Sequence, residues 1–419
     1  MAGLQPIRLY EQQHLEDKDW DYISSLSLPL AGCNQGVDSP FLGINAEGWS
    51  SYLVGAAWLK QGHRPLVVLP KFPKIDYLKI LADVLSDDLA PEYFADAYRI
   101  NFDAPSIQEE ALNSVLTPLM VVHFLSSVKR LLKHGLKRSY IIREENLNAK
   151  VKGHILSLRN LQKNVIRGHA EDVLCRYQEY SLDYAENRLI KRAMLAARSM
   201  LMSLHSSNNT LLFKLQQMLV AFDGVSSDIT PSSVKNIKKD KLHGEYPETI
   251  VLAKFILRRT DYSISEGSNQ TLASVPEFSI DMSRIFEFHV LSLLKKQFKE
   301  GSVLFQVPLG FMGRCDYIVT SQNLIIDAKY KAWYNNPLTK LEDLRADIRE
   351  IAGYARSQKV QKLMGTSTEQ QPKCLIVYPN GNYTNKEEVF ADDLLQNADS
   401  FEGLSEFYRI GVSLPTYAI

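Results

Sequence analysis

The chain has 419 residues, 45% of them hydrophobic and 23% charged, which is enough for two or three folded domains and unlike a disordered chain. Its 48 basic and 48 acidic residues leave no net charge, so the overall positive excess of a protein that coats nucleic acid unaided is excluded. No apolar run approaches the roughly 18–20 residues that span a bilayer, and the opening MAGLQPIRLYEQQHLEDKDW lacks the basic start and apolar stretch of a secretion signal. Cys33, Cys175, Cys315 and Cys374 are scattered without a CxxC pair, so neither a disulfide framework nor a zinc site is expected. These features predict a cytoplasmic, multi-domain protein away from the membrane.

Residues 1–105 read as a small mixed α/β region. Tyr52 to Leu59 and Pro65 to Leu69 are short apolar runs flanking Lys60-Gln-Gly-His63, the pattern of paired strands joined by a turn. Ile75 to Leu85 carries apolar residues at helical spacing. Residues 106–270 read as mainly helical. Leu112, Val115, Leu116, Leu119, Val122 and Val128 recur at three- and four-residue steps, with Pro118 marking an early helical position or a kink. A break at Gly135 and a turn at Val151-Lys-Gly-His-Ile155 precede a second helix from Asp183 to Leu204. Ser-, Asn- and Gly-rich pieces, Gly224 to Ser233 and Glu266 to Thr271, place the next boundary near 270.

Residues 271–419 read as an α/β domain with a mixed sheet. A helix from Ser283 to Phe298 is followed by strands at Val303 to Leu309, Cys315 to Val319 and Leu324 to Ile326. A charged helix from Leu341 to Gln358 and an apolar strand, Cys374 to Tyr378, complete it. The fold class is therefore multi-domain α+β. Charge is segregated along the chain. Nine acids face two bases between Asp76 and Glu110, whereas eleven Lys/Arg face only Glu144 and Glu145 between Lys129 and Arg167. The basic stretch is either a solvated face or a contact for DNA or a protein ring.

The most informative segment runs from Gly313 to Lys329. Two strands joined by Thr320-Ser-Gln-Asn323 set Asp316 early in one and Asp327 late in the other, where residues distant in a hairpin can lie opposite one another. Asp327 and Lys329 flank Ala328, so they share one face, with Leu324, Ile326 and Ala328 on the other. Two carboxylates and a lysine suit phosphodiester hydrolysis, because hard oxygen ligands hold Mg²⁺ and an ammonium can stabilise developing charge. The adjacent lysine argues against the carboxylate pair of a glycosidase. An exposed hairpin with a surface salt bridge is the other reading of the same residues.

At these positions the chain resembles the PD-(D/E)xK nucleases, with Asp327 where Glu is commoner. Ile325-Ile-Asp-Ala-Lys-Tyr-Lys331 looks like the McrC family, the nuclease subunits of McrBC modification-dependent restriction systems. Val67-Val-Leu-Pro-Lys71, Gly135-Leu136, Lys152-Gly-His-Ile155 and Glu186-Asn-Arg-Leu-Ile-Lys191 are similar to other parts of that family, so the likeness covers most of the chain from about residue 40. The resemblance implies a restriction-endonuclease-like domain with Asp316, Asp327 and Lys329 as catalytic residues. It adds Glu287 as a helix acid that shares the metal, Mg²⁺ or Mn²⁺, with Asp316 and Asp327; a solvent-facing glutamate is the alternative. Tyr354 matches the tyrosine of a Gln-x-x-x-Tyr helix motif, but Glu350 stands where the glutamine is expected.

The resemblance also implies partners: a McrB-like hexameric AAA+ GTPase, which the chain would stimulate, and modified double-stranded DNA. No GxxxxGK[ST] phosphate loop occurs in the chain, so nucleotide-driven motion must come from another subunit. A repair or recombination nuclease of the same fold, and a non-cleaving regulator of an AAA+ ring, are the competing readings.

Overall fold

The computed structural model describes residues 5–26, 43–45, 47–59, 64–72, 74–84, 97–101, 104–109, 111–203, 209–234, 244–265, 274–299, 301–331, 334, 340, 342–365, 371–384 and 394–416. The turn at 60–63, Cys33 and the stretch 266–271 lie outside them. The chain divides into two compact units. One holds residues 1–122, 205–208 and 268–419, and the other holds 123–204 and 209–267.

The first unit contains two mixed sheets. In the five-stranded one the order is Ile7–Tyr10, Pro65–Leu69, Leu53–Trp58, Glu277–Asp281, Tyr98–Asn101. Leu53–Trp58 and Pro65–Leu69 pair antiparallel, as two short apolar runs separated by a turn predict. Glu277–Asp281 then pairs with Leu53–Trp58 on one side and Tyr98–Asn101 on the other. A strand beyond residue 271 is thus central to the sheet of the N-terminal region, and the two regions expected to be separate share one unit. Gly55 makes this possible, because a β-carbon there would lie 2.1 Å from the Phe278 carbonyl oxygen.

The six-stranded sheet has the order Val303–Pro308, Arg314–Val319, Leu324–Ala328, Lys373–Thr384, Phe407–Pro415, Asp399–Ser400. Its first three strands form an antiparallel meander, and the next two run parallel to the third. Helix Arg345–Ala355 packs on one face through Ile351, Tyr354 and Ala355, against Ile325, Ile376 and Ile318. All five residues of Leu324–Ala328 are buried, so this strand is covered on both sides and does not have the polar face its alternation predicts. The final strand, Phe407–Pro415, lies beyond the elements read from the sequence.

The second unit departs further from expectation. Helix Ala185–Ser203 is present, but the segment between 139 and 181 is built around a three-stranded antiparallel sheet, Ser139–Asn148, Asp172–Ser181 and His154–Ile155. The expected turn before Ile155 exists, with Gly153 at φ +70° and a virtual β-carbon 2.6 Å from the Arg176 carbonyl oxygen. Ile141 and Ile142 are adjacent β-branched residues, which suit a pleated surface better than a helix.

Helix Asn113–His134, which crosses from one unit into the other, carries Pro118 inside it. Contrary to the reading from apolar runs, it is long and apolar enough to cross a membrane, but its apolar part is mostly buried, as in the core helix of a globular protein. Cys175, Cys315 and Cys374 are all free and buried.

Candidate active site

The hairpin that carries the acids is set by its turn. Thr320–Gln322 form a short 3-10 turn and Asn323 closes it at φ +52°, a left-handed conformation that asparagine tolerates. The resulting register pairs Val319 with Leu324, Ile318 with Ile325 and Tyr317 with Ile326. Continued by one pair, it brings Asp316 opposite Asp327. The side chain confirms the placement, since Asp316 Oδ2 accepts the Ala328 backbone N–H at 2.9 Å. Local strand pairing therefore suffices to join the two acids.

Lys329 lies where alternation predicts, with Nζ 2.8 Å from Asp327 Oδ2. That contact is an ion pair, and beyond it the buried Oδ2 has no hydrogen-bond partner. Nζ also bonds Glu350 Oε2 at 2.8 Å, and Tyr354 Oη donates to Glu350 Oε1 at 2.8 Å. The glutamate that replaces the expected glutamine is thus a direct partner of the lysine. One helical turn, from 350 to 354, positions both groups.

Glu287 comes from helix Met282–Gln297, which Asp281 caps by accepting the Ser283 N–H at 2.9 Å. Glu287 is 8% exposed, so it is not a solvated helix residue. Its Oε2 accepts from Arg284 Nη1 at 2.9 Å and from Gln306 Nε2 at 2.7 Å. The same Gln306 Nε2 donates to Asp316 Oδ1 at 3.0 Å. Tyr317 Oη fixes this helix from below by donating to the Glu287 carbonyl at 2.6 Å. Gln306 and Arg284 were not singled out from the sequence. A polar residue within the otherwise apolar Val303-Leu-Phe-Gln-Val307 was the available signal for Gln306.

The electrostatics follow from burial without enough positive charge. Burial, then the charge of Glu287, pushes the Asp316 carboxyl up to about 6. Burial raises Glu287 to about 7 although Arg284 pulls it back. Asp327 stands well above the usual carboxylate range, through burial first and Asp316 second. Burial alone would lower the lysine, but Asp327 and Glu350 outweigh it and hold Lys329 above the ordinary lysine range.

A divalent cation fits this donor set. Its members are carboxylate oxygens with no thiolate or imidazole, the buried Asp327 Oδ2 atom has no hydrogen-bond partner beyond its ion pair with Lys329, and the acids are short of counter-charge. Among the described residues no group of three acidic, His or Cys side chains forms a ready-made cage. A hard ion that keeps several waters and takes one or two carboxylates does not require one.

The early segment Val67–Lys71 lies behind the same strand. Lys71 Nζ sits 3.9 Å from the centre of the Tyr330 ring and donates to the Tyr330 carbonyl at 3.3 Å. Tyr330 Oη in turn donates to Glu11 Oε1 at 2.8 Å. Burial pushes Glu11 up to about 7 and Lys71 down to about 8. The residue next to Lys329 is therefore anchored by the N-terminal region.

A family model for the McrBC 5-methylcytosine restriction system component matches residues 51–379, well over half of the chain. The chain belongs to that family. This agrees with the likeness read from Ile325 to Lys331. Among solved structures, this McrBC family member is similar to a half-complex from a tetradecameric assembly of Thermococcus gammatolerans McrB AAA+ hexamers with bound McrC. The identity there is 16% and the TM-score 0.37, covering 98% of this chain and 95% of that one. It is also similar to the Thermococcus gammatolerans McrBC complex, at 16% identity and a TM-score of 0.31, covering 71% and 89% of the two chains. No curated protein matches the chain.

Proposed function

We propose that this McrBC family member is the Mg²⁺-dependent DNA endonuclease subunit of a modification-dependent restriction complex, with a PD-(D/E)xK-type site. The observation that carries the reading is the convergence of Asp316, Asp327 and Lys329 at one end of a hairpin, with Asp316 bonded to the Ala328 amide and Lys329 against Asp327. A surface salt bridge would not bury its acid to 3% exposure. Asp316 and Asp327 would hold the ion, Mg²⁺ or Mn²⁺, with Glu287 next to them through Gln306. When bound, the ion supplies positive charge against the phosphate oxygens and acidifies water.

The chain's own groups do the rest. Lys329 keeps its proton and presents a fixed positive charge beside the carboxylates, where charge builds on the phosphate. Glu350 also bonds that ammonium, so that Lys329 is shared between two carboxylates. Asp316 is aimed by a backbone amide and a side-chain amide, and needs no reorientation to receive a cation.

A McrB-like hexameric AAA+ GTPase is the proposed partner, driving cleavage of modified double-stranded DNA in the cytoplasm and being stimulated in return. The three-stranded sheet of the second unit offers a surface for it. Tyr140, Ile142 and Tyr180 are 69%, 68% and 56% exposed, and Leu158 and Ile166 nearby in sequence are 79% and 72% exposed. The deciding experiment is cleavage of methylated and unmethylated plasmid with Mg²⁺, the AAA+ partner and GTP, comparing wild type with Asp316→Ala and Lys329→Ala. Cutting that needs the partner and vanishes in both variants, while the complex still assembles, is the expected result. Cutting that survives both substitutions removes this site, and no cutting at all favours a regulator of the ring.

A further inference from the structure

Gln306 has an unusual backbone for its setting. It lies in strand Val303–Pro308 with φ +51°, in the left-handed region that favours glycine. The strand pairs Phe305 with Tyr317 and Val307 with Cys315, and pairing lapses at the position between them, where Gln306 faces Asp316. The side chain is 3% exposed, yet its neighbours along the strand are apolar. A valine would suit the strand better and a glycine would suit the backbone better. Strain of this kind persists where the surroundings over-determine it, and the surroundings here are two acids.

The NH₂ group of the amide serves both of them. Nε2 donates to Glu287 Oε2 at 2.7 Å and to Asp316 Oδ1 at 3.0 Å. Only the NH₂ end of the amide can donate to two carboxylates, which fixes its orientation. Asp316 is then held at both oxygens, Oδ2 by the Ala328 amide and Oδ1 by Gln306. The bridge spans three elements: the first strand of the meander, the second strand and helix Met282–Gln297.

We infer that Gln306 is a positioning residue of the metal site, whose amide aims Asp316 and ties the helix acid Glu287 to it, so that a divalent cation meets preset carboxylates. This rests on the nuclease reading of the same site. Without the amide the buried carboxyl groups of Glu287 and Asp316 face one another with no donor between them, and Asp316 is held at Oδ2 alone.

The test uses the full-length chain, without DNA, titrated with Mn²⁺ by calorimetry, together with thermal unfolding of the metal-free protein. The proteins are wild type, Gln306→Gly, Gln306→Met and Asp327→Asn. Gln306→Gly relieves the backbone and Gln306→Met keeps the volume without donors. Both are expected to bind Mn²⁺ about tenfold more weakly, as loss of a partner behind a metal ligand does. Gln306→Gly, which relieves the backbone, should melt higher than Gln306→Met, an order that a merely filling role would reverse. In cleavage assays with Mg²⁺, the AAA+ partner and GTP, kcat falls while KM for DNA holds. Unchanged or tighter Mn²⁺ binding in folded variants overturns the inference, as does failure of both variants to fold. Binding that Asp327→Asn abolishes but both Gln306 variants keep sinks this inference alone. Absence of Mn²⁺ binding in wild type sinks the nuclease reading beneath it.

Discussion

The two sheets that matter most break the burial rule in opposite directions. In the six-stranded sheet and its helices, Glu287, Gln306, Asp327 and Asp347 are polar or charged and nearly inaccessible. In the three-stranded sheet of the second unit, the Tyr140 and Tyr180 rings pack at a tilt across the strands, their centres 5.1 Å apart, while both face solvent. The charges there are also exposed, with Glu144 paired to Arg159 and Arg176 on the surface. Several residues of the basic stretch, Arg130, Arg143 and Arg159, have their charge met locally. Buried acids cost stability unless something charged joins them, and exposed aromatic pairs cost solubility unless something apolar covers them. The first pattern suits a small cation and chemistry, and the second suits another macromolecule.

Four measurements sharpen or break this contrast. Lys329→Met should lower cleavage by about a thousandfold, the scale of losing a donor aimed at developing charge. A loss confined to KM would show that Lys329 only binds DNA.

The pH dependence of stability comes next. Glu287 is raised from 4.5 to about 7, so the folded protein keeps a proton that the unfolded chain releases. Its contribution to the stability of the metal-free protein should therefore be fully present below about pH 4.5 and be lost as pH rises through about 7, on the order of 3 kcal/mol for this group. Asp316, raised to about 6, adds in the same direction. Denaturant unfolding at pH 5 and pH 8 checks this, and Glu287→Gln should flatten the slope. A slope of opposite sign would mean that the acids are already compensated.

Third, Tyr140→Asp combined with Ile142→Asp should weaken binding to the AAA+ partner about tenfold or more, the range of interface anchors, with the melting temperature unchanged. A fall in melting temperature instead would make these residues part of a core. The smallest effect is expected from Glu350→Gln. Its side chain is 45% exposed, so solvent screens the Lys329 pair and cleavage should fall by about fivefold or less. Loss of all activity would promote Glu350 to a direct role.

Much of the site was legible because it is local. Asp316, Asp327 and Lys329 fall within fourteen residues of hairpin, where a period of two and a short turn decide which side chains meet. The pair Leu53–Trp58 and Pro65–Leu69 was legible for the same reason. The strands of the second unit were less so, because Ser139–Asn148 mixes adjacent isoleucines with charges and lacks a clean alternation.

Sequence by itself thus determined the hairpin, its two acids and its lysine, since nearest-neighbour pairing needs no information from elsewhere in the chain. Tertiary structure decided the rest. It joined Glu277–Asp281 to strands more than 170 residues earlier, brought Glu350 onto Lys329, and bridged Glu287 to Asp316 through Gln306. Those contacts arise from the packing of helices on a sheet, where distance along the chain carries no weight and burial sets which polar groups must find one another.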